Sequence, residues 1–534
     1  MNRHHGFSWF PNGVAAALAL GFALLAPNHA LAAAGTATLS DPVPVLLNGS
    51  RVTTDVNRLA VGARPVQGVA ADGVSEIVVA VTADTAGQQF TFTVYNDQSA
   101  PSASTAADGA LAAVGSTDFD HGQLVTTTVT TNLGAMAFVI YRAPLDFARP
   151  GGGDDALASR AVSIHWSLAG GSQSGTIPLT VLRPPVVLIH GLWSDPATWS
   201  NFTPLLGDDR FSIYRANYGS LVQSAVSTTP SGGGSSISAN ALGFAFNARY
   251  VAPQIDSFVN SFKTGRNPAS LPVADVQADI VAHSMGGNIT RTMPLMPGFA
   301  SATSFARGNV HKLITIDTPH LGSPLGIDLL PADGKDPNSC VRGLFSYGGL
   351  NALLSVETPA GVSINGAMGD LQGDGSGGAL SPALQAMLSS STNPPLQTSL
   401  LPTAFVAAIS GPTQLGGLDY CRAHVRDNPQ PPQCKKYVLL YALCSTAPLV
   451  MNMTSAGWEN NVMMGPSDSL VPFPSEYNNY AYAPVPLTAI HSASLEELGL
   501  VGPGVLQSVA GAPPDVIALL NTWIADSPPF VGLR

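Results

Sequence analysis

The sequence predicts two units, an all-β sandwich followed by an α/β unit built on a mostly parallel sheet with flanking helices. Three observations carry this. From about residue 40 to 183, short runs alternate apolar and polar residues with a period of two. After Pro184-Pro185, fully apolar runs alternate with segments of helical spacing. One of those runs, ending at Ala282-His283, passes directly into Ser284-Met285-Gly286, a composition suited to a sharp turn from strand to helix.

The chain has 534 residues, 45% of them hydrophobic and 11% charged, with a formal net charge of -11. Its length calls for more than one domain, and its apolar content for a large core. The acidic balance, with no dense run of Lys and Arg, argues against nucleic acid or an anionic membrane as a principal partner. Residues 1–34 have the form of a secretory signal: Arg3 is the only permanent charge, an apolar run spans Val14 to Leu25, and small residues stand at Ala30 and Ala32. That run is short for a spanning helix. The mature protein is therefore expected to be secreted, extracellular or periplasmic, with no transmembrane segment. Cys340, Cys421, Cys434 and Cys444 form an even set, which in an exported protein suggests disulfides whose pairing the sequence leaves open.

Residues 35–183 are assigned to the sandwich. Phe90, Phe92 and Val94 alternate with Thr91, Thr93 and Tyr95, and Val162, Ile164, Trp166 and Leu168 with Ser163, His165 and Ser167. Such runs bury one face and solvate the other. Further strands are expected at Glu76–Thr82, Leu124–Thr131, Ala135–Tyr141 and Thr176–Leu182. The phrase Ala71-Asp72-Gly73-Val74-Ser75 resembles the opening of bacterial immunoglobulin-like modules of the invasin type, which implies an immunoglobulin-like sandwich. Arg183-Pro184-Pro185 reads as a stiff boundary, so the sandwich is expected to be separable from catalysis.

Residues 184–534 are assigned to the α/β unit. Val186–Ile189, Phe211–Tyr214, Asp279–Ala282, Lys312–Ile316 and Phe405–Ile409 read as its strands, and Ala239–Phe262 as a crossover helix. Segments at about 324–400 and 412–460 read as inserts. Within and beside them, Pro294–Phe305 and Gly343–Val406 combine Leu, Met, Ala and Phe with Gly and Pro hinges, and are expected to cover an apolar trough.

The strongest chemical signal is the run Asp279 to Gly287. Small residues at Ala282 and Gly286 let the chain turn sharply and lift the Ser284 side chain above the sheet, and the helix predicted over Asn288–Met293 points its N-terminus toward the nucleophile. Acyl transfer also needs backbone N–H groups for the oxyanion, one of them from the residue after the nucleophile, here Met285. The strand Val186–Ile189 runs into His190-Gly191-Leu192. At this point the sequence resembles the bacterial lipases of the α/β-hydrolase fold, and the resemblance implies that Leu192 supplies the second amide. It continues through Thr315-Ile316-Asp317-Thr318-Pro319-His320-Leu321-Gly322-Ser323-Pro324, which is similar to the Thr-Pro-His loop of those lipases. His190, Asp317 and His320 are read as residues that shape loops.

The fold's order of nucleophile, acid, base leaves His311, His320, His424 and His491 as candidates for the base. Only His491 follows a plausible last strand, Ala483–Ile490, and precedes a helix-like segment. Asp468, in Asp468-Ser469-Leu470-Val471-Pro472, matches the Asp-x-x-Val-Pro element of the lipases, with Glu459, Glu476 and Asp419 as rivals. These residues imply a serine ester hydrolase acting on an ester or lipid, in contact with a lipid interface, with no metal or cofactor. An acyltransferase, thioesterase or polyester depolymerase would use the same Ser284, Asp468 and His491, and a hydrolase-fold adhesion protein with an inactive site is a further alternative.

Overall fold

In the computed structural model, which describes residues 34–218 except 152 and 193, 242–329, 366–388, 401–441 except 436, 439 and 440, 452–509 and 515–533, the period-two runs form two stacked sheets. One sheet orders its strands 129–131, 134–142, 76–83, 37–41 and 64–65, with 110–112 also paired to 134–142. The other orders 273–274, 68–70, 174–182, 159–168, 89–95 and 123–127. Ile77, Val79, Val81 and Val139 from the first meet Phe90, Phe92, Ile164 and Leu179 from the second in a shared core. The strand Gln89–Tyr95 buries every second residue, as its alternation dictates. Glu76–Ala83 departs from that pattern: its second face is also covered, with Val78 and Ala80 packing against Leu46, Leu59 and Phe138.

Beyond Arg183 the apolar runs build a six-stranded sheet in the order Ile213–Arg215, Val186–Ile189, Ala278–His283, Val310–Ile316, Leu401–Val406 and Val531–Leu533. The first five are parallel and the last is antiparallel. Both faces are buried, which is why these runs show no polar alternation. Val187, Ile189, Ile280 and Ala282 face helices Phe244–Lys263 and Met285–Thr292, while Val186, Leu188, Val281 and Ile314 face Trp199, Phe202 and the C-terminal helix Val516–Leu520. Burial of each such aliphatic side chain is worth roughly 1.5–3 kcal/mol.

Three expectations need correction. Leu401–Val406 is the fifth strand of that sheet, paired on both sides, and not part of a cover. The last strand expected over Ala483–Ile490 shrinks to Leu487–Thr488, paired only with Ala408–Ile409, because Pro484 and Pro486 offer no N–H to a ladder. Pro294–Phe305 forms two short turns whose Leu295, Met296 and Phe299 pack on the main core, so it is a seated element. The signal segment to residue 33, Cys340, Cys444 and most of the 324–400 insert lie outside the described residues. Cys421 and Cys434 form a disulfide that ties the helix Pro412–Ala423 to the turn after it. Among the described residues no helix is long and apolar enough to cross a membrane.

The boundary at Pro184-Pro185 does not separate the two units in space. Val273-Ala274, from the α/β unit, joins the sandwich as a parallel strand beside Gly68–Ala70. Val276 and Phe305 complete the apolar cluster on the outer face of Glu76–Ala83. Polar contacts reinforce the seam. Lys312 is fully buried and its ammonium donates to Asp146 Oδ2 at 2.9 Å and to the Leu520 carbonyl at 3.0 Å. His311 bonds Asp279 through Nδ1 at 2.6 Å and the Leu145 carbonyl through Nε2 at 2.9 Å. Burial alone would lower the His311 pKa, but the Asp279 charge and hydrogen bond outweigh it and raise it.

A chain beginning at residue 184 would take from Lys312 the Asp146 carboxylate at 2.9 Å, leaving it Asp279 at 4.0 Å, and would expose Val276 and Phe305. Removing one partner of a buried ion pair costs about 3–5 kcal/mol, a large share of a typical domain's stability. We expect such a truncation to be recovered aggregated or without a cooperative melt in circular dichroism; a soluble truncation with a sharp melt would show that the seam is dispensable.

Candidate active site

Ser284 ends the strand Ala278–His283 and begins the helix Met285–Thr292, with φ 55° and ψ -133°. A non-glycine residue takes such a conformation only where its surroundings compel it. Three glycines let the neighbours come close enough to do so. A Cβ on Gly286 would stand 2.4 Å from the Ile189 carbonyl oxygen, one on Gly287 2.3 Å from Thr318 Oγ1, and one on Gly191 2.7 Å from Ser284 Cβ. The helix thus seats directly on the strand Val186–Ile189, and the His-Gly loop lies against the serine. Every residue of the helix is buried, and Ser284 itself is half-buried.

The three residues singled out from the sequence converge here. Ser284 Oγ is 2.8 Å from His491 Nε2, and His491 Nδ1 bonds Asp468 Oδ2. A carboxylate only accepts, so Nδ1 carries the proton and Nε2 is left to accept from the serine hydroxyl. Asp468 is fully buried, and its Oδ1 accepts from the Leu470 and Val471 amides at 2.8 and 2.7 Å. The imidazole is held at its own backbone too: the His491 amide donates to the Asp468 carbonyl at 2.8 Å, and His283 Nε2 donates to the His491 carbonyl at 3.3 Å. Of the rival acids, Asp419 is exposed and holds Ser455, and Glu476 sits behind Asp468, bonded to the Ala408 amide at 2.7 Å. The bond to His491 Nδ1 comes from Asp468, not from Glu459.

Of the two residues named for an oxyanion, Met285 directly follows Ser284 and Leu192 lies in the loop that approaches it. Met285 is the first residue of its helix, where an N–H has no intrahelical acceptor. Leu192 follows Gly191, which is in contact with Ser284, and its half-buried side chain packs on the main core.

The other histidines order the loops. His190 is pushed down to about 4 by burial and is therefore neutral; its ring stacks on Tyr218 at 4.0 Å, and the Tyr218 hydroxyl donates to the His190 carbonyl. His320 Nδ1 accepts from Arg291 at 2.8 Å and its Nε2 faces Thr315 Oγ1 at 3.2 Å, which fixes the Thr-Pro-His loop to the helix that follows Ser284. Asn288 Nδ2 adds a bond to the Pro319 carbonyl at 2.9 Å. Asp317, read from the sequence as shaping that loop, follows the strand Val310–Ile316 and donates its amide to the Val406 carbonyl at 2.9 Å. It is fully buried beside Asp468 and His491, and no pattern in its local sequence distinguishes it from an ordinary loop acid.

A mostly parallel sheet, a serine on a strained turn at the end of a central strand, and an Asp and a His on later loops define the α/β-hydrolase fold. The model of one protein family, described as a PGAP1-like alpha/beta domain, matches residues 247–331, the stretch that carries the crossover helix, Ser284 and the Thr-Pro-His loop. No curated protein matches the chain. Among solved structures, the chain is similar to the mature lipase BlEst2 of Bacillus licheniformis, at 14% identity and a TM-score of 0.32 over 63% of this chain and 91% of that one. It is also similar to Staphylococcus hyicus lipase, at 16% identity and a TM-score of 0.30 over 55% of this chain and 79% of that one.

Because a methyl at residue 191 would press on Ser284 Cβ, Gly191→Ala should shift the serine without touching the core. We expect kcat/KM for a small ester to fall about 10²-fold, with the far-ultraviolet circular dichroism and melting temperature close to wild type. Unchanged turnover would mean that the His-Gly loop does not hold the serine in place.

Proposed function

We propose that the protein is a secreted serine hydrolase that cleaves carboxylic esters, lipids among them, through an acyl-enzyme on Ser284. The observation that carries this reading is the continuous hydrogen-bonded line from Ser284 Oγ through His491 to a buried Asp468. In this reading His491 Nε2 takes the hydroxyl proton as Ser284 attacks the ester carbonyl. Asp468 holds the tautomer with the proton on Nδ1 and stabilises the imidazolium that forms. The Leu192 and Met285 amides receive the oxyanion, with the N-terminus of the helix Met285–Thr292 adding its dipole. His491 then returns the proton to the leaving alcohol, and a water activated by the same imidazole releases the acid. The lipid part of the reading rests on the resemblance of the His190-Gly191, Thr318-Pro319-His320 and Asp468-x-x-Val471-Pro472 elements to those of bacterial lipases. Secretion is supported by the signal-like residues 1–34 and by the Cys421–Cys434 disulfide.

Ser284→Ala and His491→Ala should each lower kcat by roughly 10⁴-fold or more, and the double variant should be no slower than the slower single one, since the two groups act as one proton-transfer unit. Multiplying losses, or ester hydrolysis that survives Ser284→Ala, would contradict the mechanism.

The lipid part has its own test. When a medium-chain ester is taken across its solubility limit, the rate is expected to rise sharply as droplets form; plain saturation below the limit would confine the activity to soluble esters.

A further inference from the structure

Three carboxyl groups meet behind His491. Asp317 follows the strand Val310–Ile316, Asp468 lies in the acid loop, and Glu476 ends the short helix Phe473–Glu476. All three are 0% exposed. One carboxyl oxygen of Asp317, one of Asp468 and a ring nitrogen of His491 lie within 4.8 Å of one another. The Asp468 ion is well served, by two amides on Oδ1 and by the imidazole on Oδ2. Asp317 and Glu476 are not. Among the described residues, both oxygens of Asp317 and Oε1 of Glu476 have no hydrogen-bond partner of good geometry, while Glu476 Oε2 accepts from the Ala408 amide. Among the described residues no Lys or Arg forms an ion pair with any of the three.

Three ionised carboxyls in one water-free space would add mutual repulsion to the cost of orphaned acceptors. A protonated carboxyl is itself a donor, and that removes both problems at once. We propose that Asp317 and Glu476 are protonated at neutral pH and form a carboxyl relay in which Glu476 donates to Asp317 and Asp317 donates to Asp468, making both positioning residues for His491. This rests on the reading of Ser284, His491 and Asp468 as the catalytic set.

The relay adds a side-chain donor to the two amides and the imidazole that already hold Asp468. It also keeps the charge behind the imidazole at that of one carboxylate. The surrounding electrostatics act in the same direction. Burial first, and then the Asp468 charge, push Asp317 well above the usual carboxylate range; burial first, and then Asp317 and Asp468, do the same to Glu476. The neighbouring titratable groups bring no compensating cation. His283 and His320 are pushed well below the ordinary histidine range, chiefly by burial, and Arg291 is directed at His320 Nδ1.

Asp317→Asn and Glu476→Gln keep a donor at each position and remove the titration. In the full chain we expect kcat/KM within about threefold of wild type for both, with the midpoint of the acid limb of kcat/KM against pH unmoved. Asp317→Ala, which removes the donor, is expected to lose roughly 10–100-fold, and Asn at the same position to restore it. The infrared difference spectrum of wild type minus either isosteric variant at pH 7 should contain the C=O band of a protonated carboxyl.

The opposite outcomes overturn the relay. Were Asp317 or Glu476 ionised, its neutral replacement would take a negative charge away from the imidazole and move the acid limb down by roughly one unit, and the infrared band would be missing. Should Asp317→Asn fail to accumulate, Glu476→Gln carries both measurements. The infrared result is independent of turnover, so a failure of the relay is distinguishable from hydrolysis that survives Ser284→Ala, which would sink the catalytic reading instead.

Discussion

Ser284 sits at φ 55° and ψ -133°, a conformation that costs an L-residue about 1–3 kcal/mol, and much of the surrounding packing serves to hold it there. The strand before it is buried on both faces and bonded on both edges, and the Ser284 amide itself donates to the Ile316 carbonyl at 2.8 Å. The helix after it is fully buried, pressed onto Ile189 and Thr318 at positions where only glycine fits. With strand and helix both fixed, the residue between them has no lower-energy conformation to relax into. The same close approach that imposes the strain brings Gly191 against the serine and leaves the first amide of the helix beside it. The strain at Ser284 and the closeness of Gly191 and of the helix's first amide therefore have one cause.

The polar groups follow a division along the sheet. The strand Val310–Ile316 carries His311 and Lys312 at its start and runs into Asp317 at its end, a span of roughly 20 Å. At the start, Lys312 and His311 engage Asp146 and Leu145 of the sandwich. At the end, Asp317 faces Asp468 and His491. The sandwich thus anchors the start of this interior strand, the end away from the serine. Its contribution is to hold one of the strands on which the site is built, and its side chains stay remote from the chemistry. Three buried polar groups of this arrangement have matched partners: Lys312 a carboxylate, Arg291 a neutral imidazole, and His491 the Asp468 carboxylate.

Much of this was legible in the residues because it depends on short-range pattern. Alternation over Gln89–Tyr95 and Ser159–Leu168 marks strands with one face in the sandwich core, and unbroken apolar runs mark strands covered on both sides. The turn at Ser284 is written in six consecutive residues, and Asp468 and His491 follow from motif resemblance and chain order. What escaped depends on partners distant in sequence. Lys312 and Asp146 are 166 residues apart, and neither has a neighbour that announces the other. Val273-Ala274 is too short a run to read as a strand and becomes one only beside Gly68–Ala70. The role of Asp317 escaped for a different reason: a carboxyl after a strand reads alike whether it faces water or two other buried acids. The strand expected before His491 failed on a local fact, the prolines at 484 and 486, which outweigh the apolar content around them.

Activation of Ser284 by His491 is read out by covalent labelling. A fluorophosphonate probe reacts with an activated serine and not with an ordinary hydroxyl. Incubation of the intact protein, digestion and mass spectrometry should find one adduct, on the peptide containing Ser284, and the labelling rate should collapse in His491→Ala. An unlabelled Ser284 in folded protein, an adduct on another residue, or labelling that proceeds equally fast without His491 would contradict the account.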